Sequence, residues 1–234
     1  MKDPYVLENG TLKNKLGITD YNELNKAERD IGYVNLLNAE EILNQKFDID
    51  LIKRINKYIF EEIFEWAGEF RTVPLYKKEL VLPGLSLDYA QPKDIQRLLK
   101  QIIDEMNAYD WKDKGIDEIT KKFTYFLAKI WRVHPFRDGN TRTVLTFGNI
   151  FAKQHGFEMD MSTMLDNLCR IKDPKTKKIV RYSVRDKFVL AALDEKDYPE
   201  PQYLEAIIKK AIENGINKKI DSLNRIVDNS EEQK

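Results

Sequence analysis

The stretch ITKKFTYFLAKIWRVHPFRDGNTRTVLTFGNIFAKQ, residues 119–154, decides the fold. Ile119, Phe123, Phe126, Leu127 and Ile130 recur at the three-four spacing of one helical face, and after a break Val144, Phe147, Ile150 and Phe151 do so again. The spacing predicts two core helices, the second from about Thr141 to Gln154, joined by the loop HPFRDGNTR at 134–142. His134 then falls just beyond the C-terminal end of the first helix. Amides of Gly139, Asn140 and Thr141 point to the positive N-terminal end of the second, so the loop reads as an anion site.

The loop also gathers reactive side chains. His134, one of two histidines, is a candidate base; Asp138 is a hard oxygen ligand suited to Mg²⁺. Gly139-Asn140 lets the backbone approach an anion closely, and Arg142 adds a fixed positive fork. Phe136 reads as a core plug beneath the loop, and His155, in KQHGF, as a cap on the end of its helix before Gly156.

Outward from this centre, Leu51, Ile52, Ile55, Tyr58, Ile59, Ile63 and Trp66 predict another helix, and Ile95, Leu98, Leu99, Ile102, Ile103 and Met106 a further one. Between Gly68 and Asp94 the helical period breaks. Two short β-prone pieces, 71–76 and 79–82, suggest a small hairpin or flap. KDPKTKK, 172–178, reads as an exposed loop or hairpin tip, and YPEPQ, 198–202, as a boundary. Beyond it Leu204, Ile207, Ile208, Ala211 and Ile212 continue through Ile216, Ile220, Leu223 and Ile226 as one or two amphipathic helices, with DNSEEQK at the end unordered. The fold class is all-α, organised as an N-terminal segment (1–30), a core (31–195) and a C-terminal helical extension (196–234).

The chain has 234 residues and 42% hydrophobic content, enough for one sizeable core. Its 39 basic and 39 acidic residues cancel, so no global field argues for nucleic acid. The single cysteine, Cys169, excludes an intrachain disulfide framework or a CxxC motif and fits a reducing cytoplasm. No apolar run is long enough to span a bilayer, and MKDPYVLENG lacks the apolar stretch of a signal peptide.

The loop resembles the signature of the Fic family within the Fic/Doc superfamily, HPFx(D/E)GNGRxxR, at His134, Pro135, Phe136, Asp138, Gly139, Asn140 and Arg142. GTLKNKLGITDYNELNKAE, FEWAGEFRTV and LDYAQP also look like Fic-family sequence, extending the likeness over most of 5–195. The resemblance implies a helical core with a small β-hairpin flap over the active site, and transfer of AMP from ATP, with Mg²⁺, to a Ser, Thr or Tyr hydroxyl of a target protein. It makes His134 the general base and Asp138 the metal ligand. It gives Arg137, Gly139, Asn140, Thr141 and Arg142 to the nucleotide phosphates, and Lys77, Lys78, Glu79, Leu80 and Val81 to a flap that pairs with the target as an added strand. Self-modification, a homo-oligomer and a small antitoxin-like partner are open; nucleic acid and membrane are not expected. Transfer of UMP, phosphate or phosphocholine, or a catalytically weak binding module, are the alternative functions. The intact Gly139-Asn140 argues against the kinase-like Doc branch.

Two positions depart from the pattern: Thr141 stands where the family has a small residue, and Leu145 where it has a second arginine. At the first turn of a helix Thr141 is tolerable, and its hydroxyl could help bind phosphate. Of the family's inhibitory motif, (S/T)xxxE(G/N), the chain has one partial match, Thr19 to Glu23, followed by Leu24. Asp20 with Glu23 fits a helix start instead. Leu145 removes the guanidinium that an inhibitory glutamate would grip, so an enzyme free of that brake is expected.

Overall fold

A computed structural model describes residues 3–37, 46–82, 87–167 and 169–231. The all-α expectation holds: the helices are α1 (Tyr21–Leu37), α2 (Ile49–Phe60), α3 (Ile95–Ala108), α4 (Ile116–Val133), α5 (Asn140–Gln154), α6 (Met161–Leu165), α7 (Val184–Ala191) and α8 (Gln202–Glu231). Strands β1 (Ile171–Lys172) and β2 (Ile179–Arg181) pair antiparallel around the KDPKTKK tip. The chain divides into two compact units. One comprises 1–78, 84–109 and 129–148; the other comprises 79–83, 110–128 and 149–234.

In the first unit α1 packs on α2 and α2 on α3. Asp20 begins α1 by accepting the amides of Asn22 and Glu23 at 2.9 and 2.8 Å, so Thr19–Glu23 is a helix start. Asp48 likewise caps α2 through the Leu51 amide, 3.0 Å. Leu51, Ile52, Ile55 and Ile59 form its fully buried face. This helix ends at Phe60, short of the expected Trp66. The chain turns back onto it, and Gly68, at φ +79°, donates its amide to Asn56 at 2.8 Å. A Cβ there would stand 2.8 Å from the Lys57 Cβ, so only glycine fits the return.

The second unit is built on aromatics: Trp111 packs edge-on against Phe123 and Phe151 and obliquely on Phe157. His155 stacks on Phe151 and turns Nδ1 to that residue's carbonyl at 2.9 Å, just before Gly156 at φ +83°. The helix-end role expected for it holds. Helices α6 and α7 pack on α8 through buried Leu204, Ile208, Ala211 and Ile212. The C-terminal pattern forms one helix, and it continues to Glu231, into the stretch expected to be unordered. Residues 232–234 lie outside the described residues.

The hairpin expected at 71–76 and 79–82 needs correction: among the described residues these positions form no strand. The Arg71 side chain donates to carbonyls of this same segment, at Val73 (2.8 Å) and Ala90, so these two carbonyls are paired with a guanidinium rather than with a β ladder. Residues 83–86, within the flap segment and beyond the second piece, lie outside the described residues. No described helix is long and apolar enough to cross a membrane.

Candidate active site

The loop between α4 and α5 lies wholly in the first unit, and its shape follows from how α4 ends. Its last residue is Val133, and His134 follows with φ +50°, the left-handed conformation usually left to glycine at a helix C-terminus. What holds this strained residue is Arg71, itself 2% exposed. Its Nε donates to the His134 carbonyl at 2.8 Å and its Nη2 reaches the Val133 carbonyl at 3.4 Å, while its amide donates to the Pro135 carbonyl at 2.9 Å. A guanidinium at the negative end of α4 complements the helix dipole. Burial nonetheless pulls Arg71 down to about 10, still fully charged at neutral pH.

The His134 imidazole is 1% exposed, with Tyr89 against one side (ring centroids 4.2 Å) and Trp131 edge-on at 4.9 Å. Its Nδ1 faces the Trp131 carbonyl at 3.2 Å. A carbonyl can only accept, so in that hydrogen bond Nδ1 carries the proton and Nε2 of the neutral ring is the acceptor. This is the tautomer that a base acting through Nε2 requires.

Asn140, expected at the phosphate, spends its side chain on the loop. Its amide nitrogen donates to the Phe136 carbonyl at 2.9 Å and its oxygen accepts from the Phe136 amide at 3.0 Å. Phe136 is fully buried beside Phe70, the plug the sequence suggested. The Asn140 side chain thus locks the loop and leaves its backbone amide as the group this position could offer an anion. Asp138 accepts the Gly139 amide at 2.6 Å, and Gly139 turns the chain into α5 at φ +76°. A Cβ on Gly139 would lie 2.1 Å from the Phe60 ring, so the close approach is obligatory. The first-turn amides of α5 have no intrahelical acceptor by geometry, which is the basis of an anion site there.

Thr141 has a role the sequence did not reveal. Its Oγ1 accepts from the indole N–H of fully buried Trp131 at 2.9 Å, giving a buried donor a partner. Thr141→Gly, which puts glycine where the resembling signature has it, is expected to lower stability by about 0.5–1.5 kcal/mol in chemical unfolding, from the lost hydrogen bond to the indole. Leu145 is 2% exposed, a core position on α5.

Arg142 donates through Nη1 to the Glu28 carbonyl at 3.0 Å and through Nη2 to the Glu28 carboxylate, and its guanidinium lies 4.5 Å from the centre of the Phe60 ring. Arg137 donates through Nε and Nη2 to Asp3 at 3.0 and 2.9 Å. Lys77 is half-buried, and its charge acts on Glu28; Lys78 is exposed. In the second unit Leu80 is exposed, Val81 half-buried and Glu79 buried at 3%, paired with Arg185 at 2.6 Å. Glu79 therefore departs from the expected target-facing surface, because its carboxylate is committed to α7.

Burial, then the nearby Asp138 charge, pushes the Glu28 carboxyl up to about 7, with Arg142 and Lys77 opposing. Raised above its unfolded value, Glu28 binds more protons folded than unfolded between about pH 4.5 and 7, so its burial costs stability progressively as pH rises through that window. Glu28→Gln is expected to flatten this decline, read as a smaller drop in melting temperature from about pH 5 to about pH 7.5.

The donor set also fits Mg²⁺, which takes one or two carboxylates plus substrate phosphates and keeps several waters. Asp138 supplies a carboxylate beside the α5 N-terminus, and the buried Glu28 carboxyl feels its charge. No group of three or more acidic, His or Cys side chains able to hold a metal occurs among the described residues. A substrate-bridged ion, not a protein-caged one, suits this chemistry.

Residues 46–152 match the model of the Fic/DOC family. Protein adenylyltransferase VbhT of Bartonella schoenbuchensis is 30% identical over 162 residues, covering 68% of this chain and 32% of that protein. The probable protein adenylyltransferase y4lH of Sinorhizobium fredii is 28% identical over 155 residues, 65% of this chain and 76% of the relative. The crystal structure of the BepC protein of Bartonella tribocorum with bound AMPPNP shares 22% identity and a TM-score of 0.68, over 88% of this chain and 95% of that one. This likeness concerns the fold. The chain thus spans under two thirds of VbhT.

Proposed function

Because residues 46–152 are a Fic/DOC family domain, we propose that this chain transfers AMP from ATP to a Ser, Thr or Tyr hydroxyl of a target protein in the cytoplasm. The observation that carries the reading is His134, held with Nδ1 on the Trp131 carbonyl, on the loop that opens into the N-terminus of α5. Adenylyltransferase relatives and a nucleotide-bound structure of like fold support the same donor chemistry.

In this reading the first-turn amides of α5 receive the α-phosphate, and Arg142 meets the β- or γ-phosphate through charge-assisted bonds. Nε2 of His134 takes the proton of the incoming hydroxyl as its oxygen attacks the α-phosphorus, and diphosphate leaves. Asp138 would hold Mg²⁺, which when bound neutralises charge on the phosphates. Lys77, Lys78, Leu80 and Val81 are the proposed target-facing residues, offering main-chain groups to an extended acceptor segment.

Incubation with ATP carrying the label on the α- or γ-phosphate tests this. Covalent α-label on protein is the expected result, and label on the chain itself reports self-modification. Transfer of γ-label only, or of neither, overturns the proposal.

A further inference from the structure

With Leu145 at the position of the second signature arginine, and Arg137 of the loop donating to Asp3, Arg142 is the remaining signature arginine. We propose that Glu28 and Gly32, both on α1, are positioning residues that seat the Arg142 guanidinium for the β- or γ-phosphate of the donor nucleotide. This inference rests on the nucleotide-transfer reading and adds two residues outside the loop to it.

The seat has three sides. Glu28 accepts from Arg142 twice, with its main-chain carbonyl at 3.0 Å and with its carboxylate, which fixes the plane of the guanidinium as well as its charge. Phe60 lies beneath, 4.5 Å from ring centre to guanidinium carbon. Gly32 forms the third side. A Cβ there would stand 2.8 Å from Arg142 Nη1, and its next neighbour would be Ile59 Cγ2 at an ordinary 3.6 Å.

That contact explains a residue that neither helix nor core accounts for. Gly32 is inside α1, where glycine weakens a helix relative to alanine, and it has no positive φ to require it. The side chain that an alanine would crowd is the arginine of the loop. Arg142 has five N–H donors, of which Glu28 uses two. The others remain for phosphate on a side chain whose rotamer is already fixed, so binding does not have to order it.

The test uses Gly32→Ala, Glu28→Ala and Glu28→Gln in the full chain. Calorimetric affinities for AMPPNP, ADP and AMP are measured beside KM and kcat for AMP transfer. Gly32→Ala is the cleaner variant because it favours the helix, so its melting temperature should not fall. Its affinity for AMPPNP is expected to drop about tenfold or more, the loss of one charge-assisted contact, with AMP affinity unchanged because AMP has no outer phosphates. KM for ATP should rise by a similar factor while kcat stays within about threefold. Glu28→Ala should behave alike, and Glu28→Gln, which keeps an acceptor for Nη2, should lose less.

Full AMPPNP affinity in Gly32→Ala overturns the proposal. So does an equal loss for AMP, the mark of a general structural defect, and so does tighter AMPPNP binding in the variants, which would make the contact a brake. A wild-type chain that binds neither AMPPNP nor ADP fails the transfer reading itself, and the seat with it.

Discussion

His134→Ala is expected to lower AMP transfer by about 10²–10⁴-fold, the usual contribution of a positioned general base, while AMPPNP binding stays close to wild type. The separation follows from the geometry. The imidazole hangs from the end of α4 through the Trp131 carbonyl, whereas the groups proposed to meet phosphate belong to the first turn of α5 and to Arg142. Truncating the ring also leaves a space beside Tyr89 and Trp131, whose rings flank it, so some loss of thermal stability should accompany the loss of rate. Calorimetry together with α-labelled transfer reads both quantities. An alanine variant that labels targets at the wild-type rate would remove His134 from the mechanism.

Arg71→Ala should have the largest effect on stability. The guanidinium is almost fully buried and serves the carbonyls of His134, Val133, Val73 and Ala90. Each buried acceptor left without a donor costs about 1–3 kcal/mol, so the sum is at least about 3 kcal/mol even if water re-satisfies some of them. It also releases His134 from its left-handed conformation, so transfer should fall before the protein unfolds. Arg71→Lys retains the charge without the fork and should recover only part of either property. Denaturant unfolding and AMP transfer at a temperature where the variant remains folded distinguish the two losses; wild-type values for both would refute the strut role.

The same two residues illustrate what can be read from a sequence. His134 was visible because it sits in a local string of matching residues between two helical periods. Arg71 lay in FEWAGEFRTV, a segment with family likeness, yet nothing local assigns it to carbonyls 62 and 63 residues away. Gly32 lies outside the helical stretches predicted from apolar spacing, so its place within α1 and the close approach there came only from the structure. Its reason lies on another helix. Asn140 shows the reverse case: a residue the loop pattern sends to phosphate, whose side chain is spent on Phe136.

The sequence by itself determined α3, α4, α5, α8 and most of α2, the loop between α4 and α5, and the reactive groups on it, because apolar spacing and turn chemistry act over a few residues; α1, α6 and α7 came from the structure. Only the tertiary structure decided which tautomer the Trp131 carbonyl imposes on His134 and that Thr141 answers the Trp131 indole. It alone showed Arg137 tied to Asp3 and Arg142 seated on Glu28, pairs separated by 134 and 114 residues. Such contacts depend on where packed helices bring side chains together, and the hydrogen-bonding needs of buried groups then select among the partners found there.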